Sequence, residues 1–146
     1  MQARLDGRNA IITGGSAGIG KAIAKNFLTS GANVAIVARR HDVLDAAKAE
    51  IEAEGAKTGS TGKVIALSAD IRRDDKCTAV IDKIVAEFGK IDVLVNNAGT
   101  SQRGAFLDVS DEVWQDDLDL KLFSAIRLSR LVIPGMRERK WGRIIN

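Results

Sequence analysis

At 146 residues, with 45% hydrophobic and 28% charged residues, the chain has the length and apolar content of one folded domain rather than a disordered segment. Twenty-two Lys and Arg against 19 Asp and Glu leave a net charge of +3, too small an excess to point to nucleic acid. Cys77 is the one cysteine; it has no partner for an internal disulfide and no metal-ligand cluster around it, which favours a reducing, cytoplasmic setting. No apolar run approaches the roughly 18 residues of a membrane span, and the first residues hold no apolar signal core. The expectation is a cytoplasmic protein without membrane or metal.

Short apolar runs alternate with amphipathic stretches, the pattern of a βαβ architecture. Residues 9–13 (NAIIT) read as a buried first strand. A helix over about 18–30 comes next, with Ile19, Ile23 and Phe27 expected on its inner face. Ser30 and Gly31 end it. Residues 33–38 (NVAIVA) are apolar at nearly every position, as a central parallel strand is. Asp42 is placed to cap a second helix carrying Leu44, Ala47 and Ile51 and ending before Gly55. Residues 57–62 read as a flexible polar loop and 63–68 as strand three. A helix over about 73–88 turns Cys77, Val80, Ile81, Ile84 and Phe88 inward. Residues 91–95 form strand four. One long helix is expected from about 111 to 137, with Leu118, Leu122, Ile126 and Ser129 as its packing stripe, until Pro134 and Gly135 disturb or end it. Residues 141–146 begin a fifth strand.

Between the first strand and first helix runs TGGSAGIG, residues 13–20. Glycine at 14 permits a sharp turn, at 18 a close approach of backbone to phosphate, and at 20 tight packing of helix on sheet. The helix N-terminus, with its unpaired N–H groups and dipole, favours an anion. The spacing is G-x-x-x-G-x-G and not G-x-G-x-x-G, so the setting between strand and helix carries the reading. At the end of strand two, an acid would accept hydrogen bonds from the adenosine ribose of NAD. This chain has Ala38 there, then Arg39 and Arg40. A guanidinium bonds a 2′-phosphate well, so NADP is favoured over NAD. Both arginines also fit the solvated start of a helix, and His41 reads as solvent-facing.

Taken together, the TGGSAGIG loop, Asp70 after strand three and NNAG at 96–99 after strand four resemble the short-chain dehydrogenase/reductase pattern. The likeness is nearest to bacterial 3-oxoacyl-acyl-carrier-protein reductases. It implies an α/β Rossmann-type fold, a doubly wound parallel sheet of order 3-2-1-4-5, with residues 1–146 as a single dinucleotide-binding domain. It implies cofactor contacts from Thr13, Gly14, Ser16, Ala17, Gly18, Ile19, Gly20, Asp70, Ile71, Asn97, Ala98 and Gly99, beside Arg39 and Arg40. Asp70 also fits a helix-capping acid, and the two asparagines a simple turn.

The same resemblance implies carbonyl reduction by hydride from the nicotinamide, with a tyrosine general acid tuned by a lysine four residues on. The chain has no tyrosine, so the expectation is a sequence truncated before the catalytic Tyr-x-x-x-Lys segment. Lys121 stands where the family's relay asparagine belongs. It is either a charged member of an altered relay or a lysine with no catalytic role. The intact form would act on a carbonyl or alcohol substrate as a homo-oligomer. The rival is a dinucleotide-binding sensor or pseudoenzyme without turnover. Arg127, Arg130, Arg137, Arg139, Lys140 and Arg143 suit a solvated helix end, or docking of an acyl carrier protein or CoA ester. Nucleic acid is disfavoured, because no aromatic stacking platform is interleaved with the basic residues. Trp114 and Trp141 read as packing residues.

Overall fold

A computed structural model describes residues 4–100 and 103–146. Residues 1–3, which belong to the N-terminal stretch without a signal core, lie outside the described residues. Five strands, β1 (Asn9–Thr13), β2 (Asn33–Ala38), β3 (Val64–Ser68), β4 (Val93–Val95) and β5 (Arg143–Ile145), form one sheet of order β3-β2-β1-β4-β5. Every pairing is parallel, with Ile11 opposite both Ala35 and Leu94.

The period-two alternation of the central strands divides the core between the two faces of the sheet. Ile11, Ala35, Val37 and Leu94 point to one side, where α3 (Asp74–Phe88) and α5 (Ser124–Glu138) supply Cys77, Ile84, Leu128 and Val132. Ile12, Val34 and Ile36 point to the other, where α1 (Gly18–Thr29) and α2 (His41–Lys57) supply Ala24, Leu28, Leu44 and Ile51. Burial on both faces explains why β1 and β2 are near-continuous apolar runs.

α2 and α3 bury the expected Leu44, Ala47 and Ile51 and the expected Cys77, Val80, Ile81 and Ile84, but α1 departs from the sequence expectation. In α1 the buried residues are Gly20, Ala24 and Leu28, and Ile19 is 74% exposed. Small residues face inward because α1 lies close on the sheet. α2 starts at His41 with Arg40 at its N-cap, so Asp42 sits in the first turn, where its charge still suits the dipole. Gly55 does not come after this helix but is buried within it. A Cβ there would stand 2.6 Å from Leu28 Cδ2, so its absence lets α1 and α2 meet. The polar loop after α2 is tied down, with Ser60 Oγ donating to the Leu28 carbonyl at 2.5 Å.

The expected long helix is three pieces: α4 (Asp111–Leu118), a π-helical turn (Asp119–Phe123) and α5. The extra residue in the π turn rotates α5 relative to α4. Ser124, Leu128, Val132 and Met136 are therefore buried, while Leu118, Leu122 and Ile126 are exposed. Pro134 does not end α5, which runs to Glu138. It sits on the exposed side of the helix. Trp141 packs against the α1–α2 core beneath the Arg8 guanidinium, 3.6 Å from its ring centroid, whereas Trp114 is half-exposed against Phe106. Among the described residues no helix is long and apolar enough to cross a membrane, and no group of His, Cys, Asp and Glu assembles a metal site.

Candidate dinucleotide-binding site

The strand order reverses between β1 and β4, and the carboxyl ends of the strands there open into a crevice, the usual ligand position of such sheets. Gly14 turns the chain off β1 with φ +67°, a left-handed conformation, and its N–H donates to the Val37 carbonyl at 2.8 Å. A Cβ on Gly20 would collide with the Gly14 carbonyl and the Asn97 amide, so only glycine lets α1 begin this close. Gly15 belongs to the same constraint, since a Cβ there would stand 2.6 Å from Ile36 Cγ2. Nothing in the sequence pattern had singled it out.

The N-terminus of α1 carries no protein cap. Ala17 is the N-cap, no side chain bonds the first turn, and no acidic residue lies in it. The first N–H groups of a twelve-residue helix are thus left to a ligand or water at the positive end of the dipole.

The far wall is the turn after β4, which Thr13 fastens to the glycine loop. Its hydroxyl accepts from Asn97 N–H at 3.1 Å and Ala98 N–H at 3.0 Å, and donates to the Val95 carbonyl at 3.3 Å. In return, Asn97 Nδ2 donates to the Thr13 carbonyl at 3.1 Å.

Between these walls lies a cleft of about 700 Å³. Arg39, Arg40, Asp70 and Ile71, after β2 and β3, line one end, Gly14, Ser16, Ala17 and Gly18, after β1, the middle, and Asn97, Ala98 and Gly99, after β4, the other end. Eleven expected residues therefore converge on one cavity. Thr13 and Gly20 are buried behind it, and Ile19 points to solvent. Val37, Ala69, Thr100 and Leu120 also line it, and sequence reasoning missed them. Ala69 had a signal, as the residue between the expected third strand and Asp70; its N–H donates to the Ala38 carbonyl at 2.9 Å. Leu120 had none, because it lies on the π turn.

The two ends of the cleft differ in charge. The Arg39 and Arg40 side chains are exposed and make no hydrogen bond or ion pair among the described residues. Asp70 is forked by Arg72, and that hydrogen-bonded pairing holds its carboxyl below the usual aspartate range. Asp70 does not cap α3, whose N-cap is Arg73. Under this end Cys77 Sγ donates to the Ile71 carbonyl at 3.2 Å, and burial pushes its thiol up to about 11.

Lys121 is not brought into this cleft. It pairs with Asp117 one turn earlier, Nζ to Oδ1 at 2.8 Å, and lines a neighbouring groove of about 860 Å³ with Asn96, Ile126 and Asn146. It meets the cleft only at the rim, where its Cε lies 3.9 Å from the position of a Cβ on Gly99.

The sheet, the glycine cradle at its switch point and the uncapped helix define a dinucleotide-binding Rossmann unit. The sequence model of short chain dehydrogenases matches residues 8–146, and the chain belongs to that family. It is 39% identical over 148 residues to a short chain dehydrogenase of Pseudocercospora fijiensis, covering 100% of this chain and 46% of that protein. It is 37% identical over 144 residues to the 3-oxoacyl-acyl-carrier-protein reductase of Vibrio cholerae, covering 97% of this chain and 54% of the relative. Among solved structures, L-sorbose reductase from Gluconobacter frateurii, complexed with NADPH and L-sorbose, superposes with a TM-score of 0.89 at 38% identity. It covers 99% of this chain and 53% of that one. The chain spans about half the length of the curated relatives it matches.

Proposed function

We propose that residues 1–146 act as a single dinucleotide-binding domain that takes NADP(H) in the cleft, and that the whole protein is an NADP-dependent oxidoreductase of carbonyl or alcohol substrates. One observation carries the reading. An uncapped α1 N-terminus, ready for a pyrophosphate, shares a cavity with two unpartnered arginines suited to a 2′-phosphate. The residues fit the group on steric grounds too, because the loop lies close on the sheet and the 97–99 turn only without side chains at 14, 15 and 20, and Gly18 leaves open space where a Cβ would stand at the start of α1. Gly14, Ser16, Ala17 and Gly18 would hold the pyrophosphate, Arg39 and Arg40 the 2′-phosphate, Asp70 and Ile71 the adenine, and Asn97, Ala98 and Gly99 the nicotinamide half. Thr13 and Gly20 serve the site from behind. NAD is the weaker candidate, because Ala38 stands where an acid would accept from the ribose. The NADPH in the L-sorbose reductase structure supports the same choice.

When bound, the nicotinamide supplies hydride, and the protein must supply a proton to the nascent alkoxide. The 146 residues contain no tyrosine. Lys121, held by Asp117 at the rim, is the candidate member of an altered proton relay. In the whole protein a small carbonyl compound, an acyl-carrier-protein thioester or a CoA ester is the substrate class, in keeping with the reductase relatives. Homo-oligomeric assembly in the cytoplasm completes the proposal.

The missing tyrosine favours a second reading, a dinucleotide sensor without turnover. Nicotinamide fluorescence titrations of the chain with NADPH and NADH test the cofactor assignment, with tighter NADPH binding expected. Equal or reversed affinities refute it. Steady NADPH oxidation with a ketone by the 146-residue chain would reject the sensor reading.

A further inference from the structure

At the adenine end of the cleft one cation holds the Asp70 carboxylate and another, Arg39, lines the same cleft without bonding it. Arg72 forks it, with Nε donating to Oδ1 at 2.9 Å and Nη2 to Oδ2 at 2.7 Å, while the Arg72 backbone N–H adds a bond to Oδ1 at 3.2 Å. The same guanidinium reaches Asp116 of α4 through Nη1 at 3.2 Å, and the Arg72 carbonyl accepts from Arg127 Nη1 of α5 at 2.6 Å. Arg72 is thereby fixed by its own loop, by α4 and by α5. The second cation, Arg39, lines the same cleft and is near enough for its charge to help keep Asp70 ionised. Its guanidinium nevertheless makes no hydrogen bond or ion pair among the described residues.

We propose that Arg72 is a positioning residue that sets the cofactor preference. By occupying both oxygens of Asp70 it keeps that carboxylate from capturing Arg39, and so leaves Arg39 free for a 2′-phosphate. This role rests on the NADP(H) reading and deepens it. A guanidinium matches a carboxylate as a planar fork, two bonds at once, and a carboxylate forked in this way has little left for a second arginine. Without Arg72, Asp70 offers Arg39 a charge-assisted partner in the free protein. NADPH must then break that pair to bind, whereas NADH, with no 2′-phosphate, need not. Lysine could not substitute, since one ammonium cannot span both oxygens with fixed geometry.

The test measures dissociation constants for NADPH and NADH on the 146-residue chain and on R72A, R72Q, D70N and R72A/D70N, each checked for folding by circular dichroism. In R72A and R72Q the preference for NADPH over NADH falls about two- to fivefold, the range of an exposed ion pair. The change comes from weaker NADPH binding. Asparagine at 70 in the R72A background restores the preference. D70N alone does not lower the ratio, because Arg39 is not paired with Asp70 there and the loss of a negative charge beside it can only favour a 2′-phosphate. The Arg39 Nε–H signal in NMR spectra moves in R72A and returns in the double variant. Equal weakening of both dinucleotides in R72A and R72Q, or a lowered ratio in D70N alone, overturns the proposal and leaves Arg72 a purely structural role. The unsubstituted chain is measured first. If it binds neither dinucleotide the cofactor reading itself fails, and if it binds both equally the role of Arg39 fails, so those failures are separate from failure of Arg72.

Discussion

Replacing Thr13 by valine removes one hydroxyl and keeps the shape of a side chain that is 1% exposed. That hydroxyl accepts two main-chain N–H groups, from Asn97 and Ala98, and donates to Val95. In the variant both N–H groups face a methyl. An orphaned buried donor costs about 1–3 kcal/mol, and because Asn97 and Ala98 are only half-buried beside the cleft, the low end applies, about 2–3 kcal/mol in all. For a domain of this size that lowers the melting temperature by roughly 5–10 °C. Thr13→Ser keeps the three bonds and loses one methyl, a cost of about 1 kcal/mol. Scanning calorimetry of the two variants separates the hydroxyl from the packing. The same change loosens the 97–99 turn, so NADPH binding weakens in the valine variant and not in the serine one. A valine variant melting within about 2 °C of the unsubstituted protein would refute the claim that Thr13 fastens the two walls of the cleft.

Gly20→Ala sets a methyl against the Gly14 carbonyl and the Asn97 amide. α1 must retreat, with an overpacking cost of about 1–3 kcal/mol and weaker NADPH binding; an unchanged melt and unchanged affinity together contradict the close approach. Asp70 titrates below the ordinary aspartate value because Arg72 bonds its ionised form. Its contribution to stability is therefore present above about pH 3.9, the unfolded value, and is lost as pH falls through the lower folded one. Carboxylate 13C NMR tracks this directly, and R72A is expected to raise the Asp70 titration toward the ordinary value. An Asp70 titration indifferent to R72A would contradict the fork.

The strand order and most of the cleft were legible because their residue types have few alternatives. Continuous apolar runs such as NVAIVA mark central parallel strands, and β1 and β2 occupy the expected residues. Glycines 14 and 20 sit where geometry forbids a side chain. The helix faces were less legible. Counting large aliphatic residues selected Ile19 in α1 and Leu118, Leu122 and Ile126 beyond it. In α1 a close-packed helix buries its small residues, and after α4 the π turn shifts the register by a fraction of a turn. No residue type in 119–123 announces that turn. Arg72 was invisible for a different reason: a lone arginine two residues past Asp70 reads as surface charge until the fold sets Asp116 beside it. In the same way Asp116, Asp117 and Asp119, scattered through α4 and the π turn, find Arg72, Lys121 and Arg127 only in the fold.

The measurement closest to the central claim is an amide 1H–15N correlation spectrum of the chain titrated with NADPH. The largest shifts are expected at Ser16, Ala17 and Gly18, whose N–H groups begin the uncapped helix or lead into it, and at Asp70, Ile71, Asn97, Ala98 and Gly99 across the cleft. Shifts confined to the groove beside Leu122 and Ile126, or none at the glycine loop at saturating NADPH, would contradict the assignment of this cleft as the dinucleotide site.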